Sequence, residues 1–148
     1  MRPTTHTKDS RKINALLWSV QGVLALLFLF GGGMKLVLPI ATLTQQGGPP
    51  LPGLFLRFIG VLEVAGALGM VLPGLLHLRA ELTPLAAAGL VIVMSGATGV
   101  TLASGAAAGA LVPVAVGFLA AFVAYGRWRL VPLSRRASLH PTVLRSAA

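Results

Sequence analysis

Cysteine is absent from this chain. That excludes disulfides, thiolate metal ligands, iron–sulfur clusters and dithiol redox chemistry carried by the chain itself. Acids are almost absent too: three carboxylates stand against twelve lysines and arginines. Charged residues of both signs make up only 10% of the chain, where a soluble domain carries about 25%. The histidines His6, His77 and His140 all fall outside the apolar runs, so no run carries a histidine to hold a membrane haem. No Ser/His/Asp set, carboxylate pair or metal-ligand spacing is present, which leaves no catalytic residue and no metal site to name. Asn14 is the one asparagine and precedes Ala-Leu, so there is no N-glycosylation acceptor.

What is abundant is apolar: 55% of the residues. They gather in four runs, at 15–38, 54–72, 82–102 and 106–125. At 1.5 Å rise per residue, each is long enough to cross a hydrocarbon core about 30 Å thick. The fold class expected is all-α, an integral membrane four-helix bundle over residues 15–130. Residues 1–14 and 131–148 are expected as tails without apolar periodicity. The first run follows basic residues, as a signal peptide would. Its apolar core is too long, and Gly-Gly-Gly-Met-Lys stands where a cleavage site should be, so it counts as a span. IATLTQQ suits a short helix before GGPPLPG breaks it. Pro84 suits the first turn of its helix, and Pro113 is expected to bend the fourth span.

The charged connections alternate with uncharged ones. Arg2, Lys8, Arg11 and Lys12 precede span 1, His77, Arg79 and Glu81 follow span 2, and Arg127, Arg129, Arg135, Arg136 and Arg145 follow span 4. PIATLTQQGGPPLPG and ASG carry no charge. With four spans every charged segment falls on one side, which the positive-inside rule makes cytoplasmic for both termini. Trp18, Tyr125 and Trp128 suit the same interface. The net charge of +9 therefore reads as orientation and contact with the lipid bilayer, not nucleic acid, since no folded basic domain or aromatic-basic platform exists. An Ala- and Gly-rich, Arg-heavy composition points to a bacterial inner membrane. Nothing in the sequence fixes an oligomeric state.

Four polar side chains interrupt the first hairpin: Gln21, Lys35, Arg57 and Glu63. Gln21, Phe28 and Lys35 are spaced by sevens, so they share one stripe of span 1. Glu63 lies about 9 Å deeper along its helix than Arg57 and on a different face, which makes Lys35 its more natural partner. A carboxylate at this depth costs about 2.5–3.5 kcal/mol on insertion scales, so it should turn inward. Two readings stand side by side. In one, the cluster fixes the packing of spans 1 and 2. In the other, it lines a polar pocket that binds a head group or relays a proton. Gly60, Gly66 and Gly69, and Ser95 with Gly99, read as small residues that let helices approach, and Gly31-Gly32-Gly33 as a stretch that loosens span 1. Ser95, Thr98 and Thr101 form one face of span 3, suited to interhelical or backbone hydrogen bonds.

These residues resemble the DoxX-like membrane protein family. The shared pattern is W-x-x-Q at Trp18 and Gln21, then F-x-x-x-G-x-x-K-L from Phe28 to Leu36. It continues as R-F-I-G-x-x-E-x-x-G-A-x-G-x-x-L-P from Arg57 to Pro73 and L-T-P-x-A-A-x-G-L from Leu82 to Leu90. The resemblance covers about residues 16–130. It implies a small four-helix inner-membrane protein. The family's name comes from a subunit linked to quinone-dependent sulfur oxidation, and some members associate with redox proteins. The resemblance thus implies a quinone as possible ligand and a redox protein as possible partner, with electrons supplied from outside the chain. The function expected is a non-catalytic membrane component binding a quinone-like or lipid-like molecule or a redox partner. The alternative is a small proton-coupled transporter using Glu63.

Overall fold

In the computed structural model, the described residues are 6–45, 51–76 and 81–130. They form α1 (His6–Val37), α2 (Ile40–Gln45), α3 (Gly53–Leu75), α4 (Leu82–Ala103) and α5 (Leu111–Tyr125), followed by a π-helical turn at Gly126–Leu130. No strand occurs among the described residues. Four helices are long and apolar enough to cross a membrane: Arg11–Val37, Gly53–Leu75, Leu82–Ala103 and Leu111–Leu130. Helices satisfy their own backbone, which lets an apolar chain sit where no water is available. The loop residues His77 and Arg79, Met1–Thr5 and the segment after Leu130 lie outside the described residues.

The helix ends depart from the apolar runs in ways the local chemistry explains. α1 begins at His6, well ahead of residue 15. No Pro or Gly stands between His6 and Asn14, so nothing in the backbone stops the helix from running past the apolar run. It ends before Pro39, which disfavours helical geometry at the residue before it. Gly31-Gly32-Gly33 stays inside α1 without interrupting it. At the other hairpin, α4 stops at Ala103 because Gly105 takes a left-handed φ of 80°. The Ala106 N–H then donates to Thr101 O at 3.2 Å and the Gly105 N–H to Leu102 O at 3.0 Å, the paired bonds of a Schellman stop. Residues 106–110 are spent in turns, and the last helix starts at Leu111 rather than at 106. Pro113 therefore falls in the first turn, where its missing N–H has no partner to lose, and the expected bend has no cause. The span recovers its length at the other end through the π-helical turn.

α1 packs on α3, α3 on α4 and α4 on α5, and α5 with its π-helical turn closes back against α1. We call the end where α1 enters and the π-helical turn leaves the basal end, and the opposite one distal. Leu24, Phe28, Met70, Leu90, Met94 and Val123 are among the residues that fill the interior. Leu26, Phe30, Leu54, Ile92 and Phe118 are exposed, as side chains facing lipid should be.

The closest approach is between α1 and α3. A Cβ added to Gly32 would sit 2.8 Å from the carbonyl oxygen of Gly60, and one added to Gly60 would sit 3.0 Å from the carbonyl of Gly32. The two backbones touch, which only glycine at both positions permits. On the other face of α3, Gly66 lies against Leu90 and Gly69 against Ala86 of α4. Gly99 has nothing near it, so the Ser95–Gly99 pair does not serve helix packing within the chain. Gly32→Ala should cost about 1–3 kcal/mol through the forced separation of two backbones. Gly22→Ala, on the same helix with open space around it, should be neutral or stabilising by up to about 1 kcal/mol. Thermal unfolding in detergent would measure both, and equal melting temperatures would refute the close approach.

Candidate functional site

The polar residues of the first hairpin occupy two separate layers. Gln21 and Lys35 share a stripe of α1, but fourteen residues of helix separate them by about 21 Å. Lys35, Glu63 and Arg57 meet at the distal end, and Gln21 belongs to a different group near the basal end.

In the distal layer, Lys35 Nζ lies 2.8 Å from Oε2 and 3.0 Å from Oε1 of Glu63. Glu63 is buried at 4% exposure, and the Lys35 side chain is more open, at 28%. The ammonium also lies 3.5 Å from Gly31 O. The pair forms where Gly32 and Gly60 bring α1 and α3 together, since a Cβ on Gly32 would meet Glu63 Cβ at 3.0 Å. Arg57 does not touch Glu63. Its Nη1 donates to Lys35 O at 2.7 Å and its Nη2 to Leu38 O at 2.9 Å. These are carbonyls at the C-terminal end of α1, which the helix itself leaves without donors. A cation there also meets the negative end of the helix dipole. Every charged group of the layer is thus satisfied within the layer.

In the basal layer, Gln21 uses both ends of its amide. Nε2 donates to Met70 O at 2.8 Å, and Oε1 accepts from Arg127 Nε at 2.7 Å. Arg127 also donates from Nη1 to Asn14 Oδ1 at 2.8 Å, and its guanidinium carbon lies 5.3 Å from the centre of the Trp18 ring. Arg127 is turned inward by the π-helical turn, while Trp128 and Arg129 beside it remain exposed. Gly126 makes this possible, because a Cβ there would lie 2.5 Å from the buried Leu17 side chain. The sequence reading missed Arg127 as a buried residue and Asn14 as its half-buried partner. Arg127 follows the last apolar run and counts naturally among the orientation charges. Gln21 held the usable signal: a buried amide needs a donor and an acceptor, and span 2 offers it no side-chain partner at that depth.

The hydroxyls of Ser95, Thr98 and Thr101 donate back to Val91 O, Met94 O and Ala97 O at 2.7–2.8 Å, and none bridges to a neighbouring helix. Between α4 and α5 lies a cleft of about 410 Å³, open on its outer side. Val91, Met94, Ser95 and Thr98 line it from α4, with Val114 and Phe118 from α5.

Fold and site together define a polytopic α-helical membrane protein, built as a four-helix bundle with a polar layer near each end. The chain belongs to the DoxX-like family, whose model matches residues 19–123. No curated protein and no solved structure matches it.

Removing one partner of the distal pair strands the other charge. Lys35→Ala should cost about 3–5 kcal/mol, because it leaves the more deeply buried Glu63 alone. Glu63→Ala should cost less, since a half-open lysine can turn toward the interface. The double variant should be more stable than Lys35→Ala by itself. Chemical unfolding in mixed micelles checks the order, and a double variant weaker than either single one would count against an isolated pair. Arg57→Met should cost about 1.5–3 kcal/mol through its lost carbonyl contacts, whether or not Glu63 is present.

Proposed function

We propose that this protein is a non-catalytic component of a bacterial inner membrane that binds a quinone-like or lipid-like molecule. The cleft between α4 and α5 is the observation that carries this reading. Its volume falls in the range of small-molecule sites, about 300–1,000 Å³. Residues 91–98 and 113–121 put it from mid-span to the distal half of the bundle, at hydrocarbon depth. The lining is apolar except for Ser95 and Thr98. Their hydroxyls donate to their own helix, which leaves lone pairs to accept from a ligand hydroxyl. An amphipath with a long apolar part and a small polar ring or head suits that surface. A redox protein partner, where one exists, would supply the electrons.

The alternative, a proton-coupled carrier using Glu63, needs a carboxylate free to exchange its proton. The two contacts from Lys35 favour a role in packing α1 against α3 instead. The orientation proposed has both termini in the cytoplasm, supported by the gathering of basic residues at the basal side of the bundle.

Protein extracted in mild detergent should carry quinone or lipid detectable by mass spectrometry. Ser95→Leu with Thr98→Leu should lower that content severalfold while leaving the melting temperature near the wild-type value. A wild-type protein free of bound amphipath would overturn the reading. Substrate flux in liposomes abolished by Glu63→Gln would establish the carrier in its place. A phosphatase reporter fused after Leu130 should be inactive, and activity in the periplasm would reverse the orientation.

A further inference from the structure

The distal layer is satisfied within itself, and the basal layer is not. Arg127 is 2% exposed and Thr83 0%. Arg127 Nη2 and Thr83 Oγ1 are the buried side-chain atoms among the described residues that lack a hydrogen-bond partner. A buried donor left unpaired is destabilising, and more so when it carries charge.

The two atoms share one depth. Gly32 meets Gly60, and Gln21 meets Met70 O, so antiparallel α1 and α3 bring Trp18 level with about residue 74. Gly66 meets Leu90 and Gly69 meets Ala86, which brings Thr83 level with about residue 72 or 73. The guanidinium packs over Trp18 and is held between Asn14 and Gln21. It therefore lies within roughly 3 Å of the Thr83 level along the bundle axis. Both side chains are buried, one from α4 and one from the π-helical turn, and those two elements pack on each other.

The charge tally among the described side chains leaves Arg127 without a counter-charge. Glu63 is held by Lys35 and Glu81 is exposed. Among the described residues no carboxylate pairs with Arg127. Its partners are the neutral oxygens of Gln21 and Asn14, which orient the guanidinium without cancelling its charge. With Nε on Gln21 and one Nη1 hydrogen on Asn14, the other Nη1 hydrogen and both on Nη2 remain.

We propose that Arg127 and Thr83 form a buried site for one oxyanion, a phosphate or carboxylate group, at the basal end of the bundle. Both orphan atoms are closed to water, so the anion enters as the Thr83 and Arg127 side chains part, and it docks end-on to the Nη1–Nη2 edge, the fork geometry that arginine offers to planar or tetrahedral oxyanions. The Thr83 hydroxyl donates to the same group. Gln21, Asn14 and Trp18 hold the guanidinium in place. This site is separate from the α4–α5 cleft, and each stands without the other.

Trp18 reports on it directly. The chain has two tryptophans, so Trp128→Phe leaves Trp18 as the only one. In that background, fluorescence in detergent micelles is titrated with dioleoyl-phosphatidylglycerol, dioleoylglycerol, sodium phosphate and sodium chloride. A saturable change with phosphatidylglycerol or phosphate is expected, and none with dioleoylglycerol or chloride. Saturation by the phospholipid alone assigns a lipid head group, and saturation by phosphate assigns a soluble anion. Thr83→Val should raise the half-saturating concentration about tenfold, the worth of one hydrogen bond to a charged group. Without anion its melting temperature should match or exceed that of the parent, because a methyl replaces an unpaired hydroxyl. Arg127→Gln should abolish saturation, and if that variant does not fold, Thr83→Val decides. No saturable response to either anion, which is the outcome if the two side chains stay closed on each other, would overturn the proposal. So would a half-saturation unchanged in Thr83→Val, or an equal response to dioleoylglycerol.

Discussion

The contact between the backbones of α1 and α3 at Gly32 and Gly60 is the constraint on which the distal half of the bundle depends. In a membrane the hydrophobic effect does not press helices together, because lipid tails are as apolar as leucine. Close packing and buried polar contacts must do so. The touching glycines bring Lys35 within direct reach of Glu63 across the interface. They also place Arg57 where it can supply donors to the open carbonyls at the end of α1. Close approach, ion pair and helix cap are three consequences of one backbone geometry.

The basal half solves a different problem. Here α1 and the last described turn must be joined, although over a hundred residues separate them. Gln21 spans the gap by accepting from Arg127 and donating to Met70 O, which ties three elements through one amide. The π-helical turn and Gly126 are the local devices that let the arginine turn inward. The distal layer ends electrically neutral apart from its capping arginine. The basal layer holds an arginine among neutral partners, and this difference sets the two layers apart.

The α4–α5 side is built on another principle. Its hydroxyls return to their own helices, and its surface keeps an open cleft instead of a polar lock. Polar contacts between helices are thus concentrated in the α1–α3 hairpin and in its tie to the chain's last described turn. The cleft occupies the part of the bundle that polar bonds do not close.

The membrane class, the all-α bundle and the four spans were legible in the sequence, because apolar runs of this length in a chain so poor in charge have few other solutions. The inward turn of Glu63 and its preference for Lys35 over Arg57 followed from helical spacing and the cost of a charge in lipid. The helix start at Leu111 was not legible: the Schellman stop at Gly105 depends on which of two nearby glycines takes a left-handed φ, and an Ala-rich stretch reads as helix either way. Nor was the partner of Gln21, since a stripe on one helix says nothing about which neighbour stands at each level. The sequence by itself determined which residues had to leave the lipid, because transfer cost is a property of the side chain. Only the tertiary structure decided which residues met, Arg127 with Gln21 and Lys35 with Glu63, because partners distant along the chain are chosen by the register of packed helices.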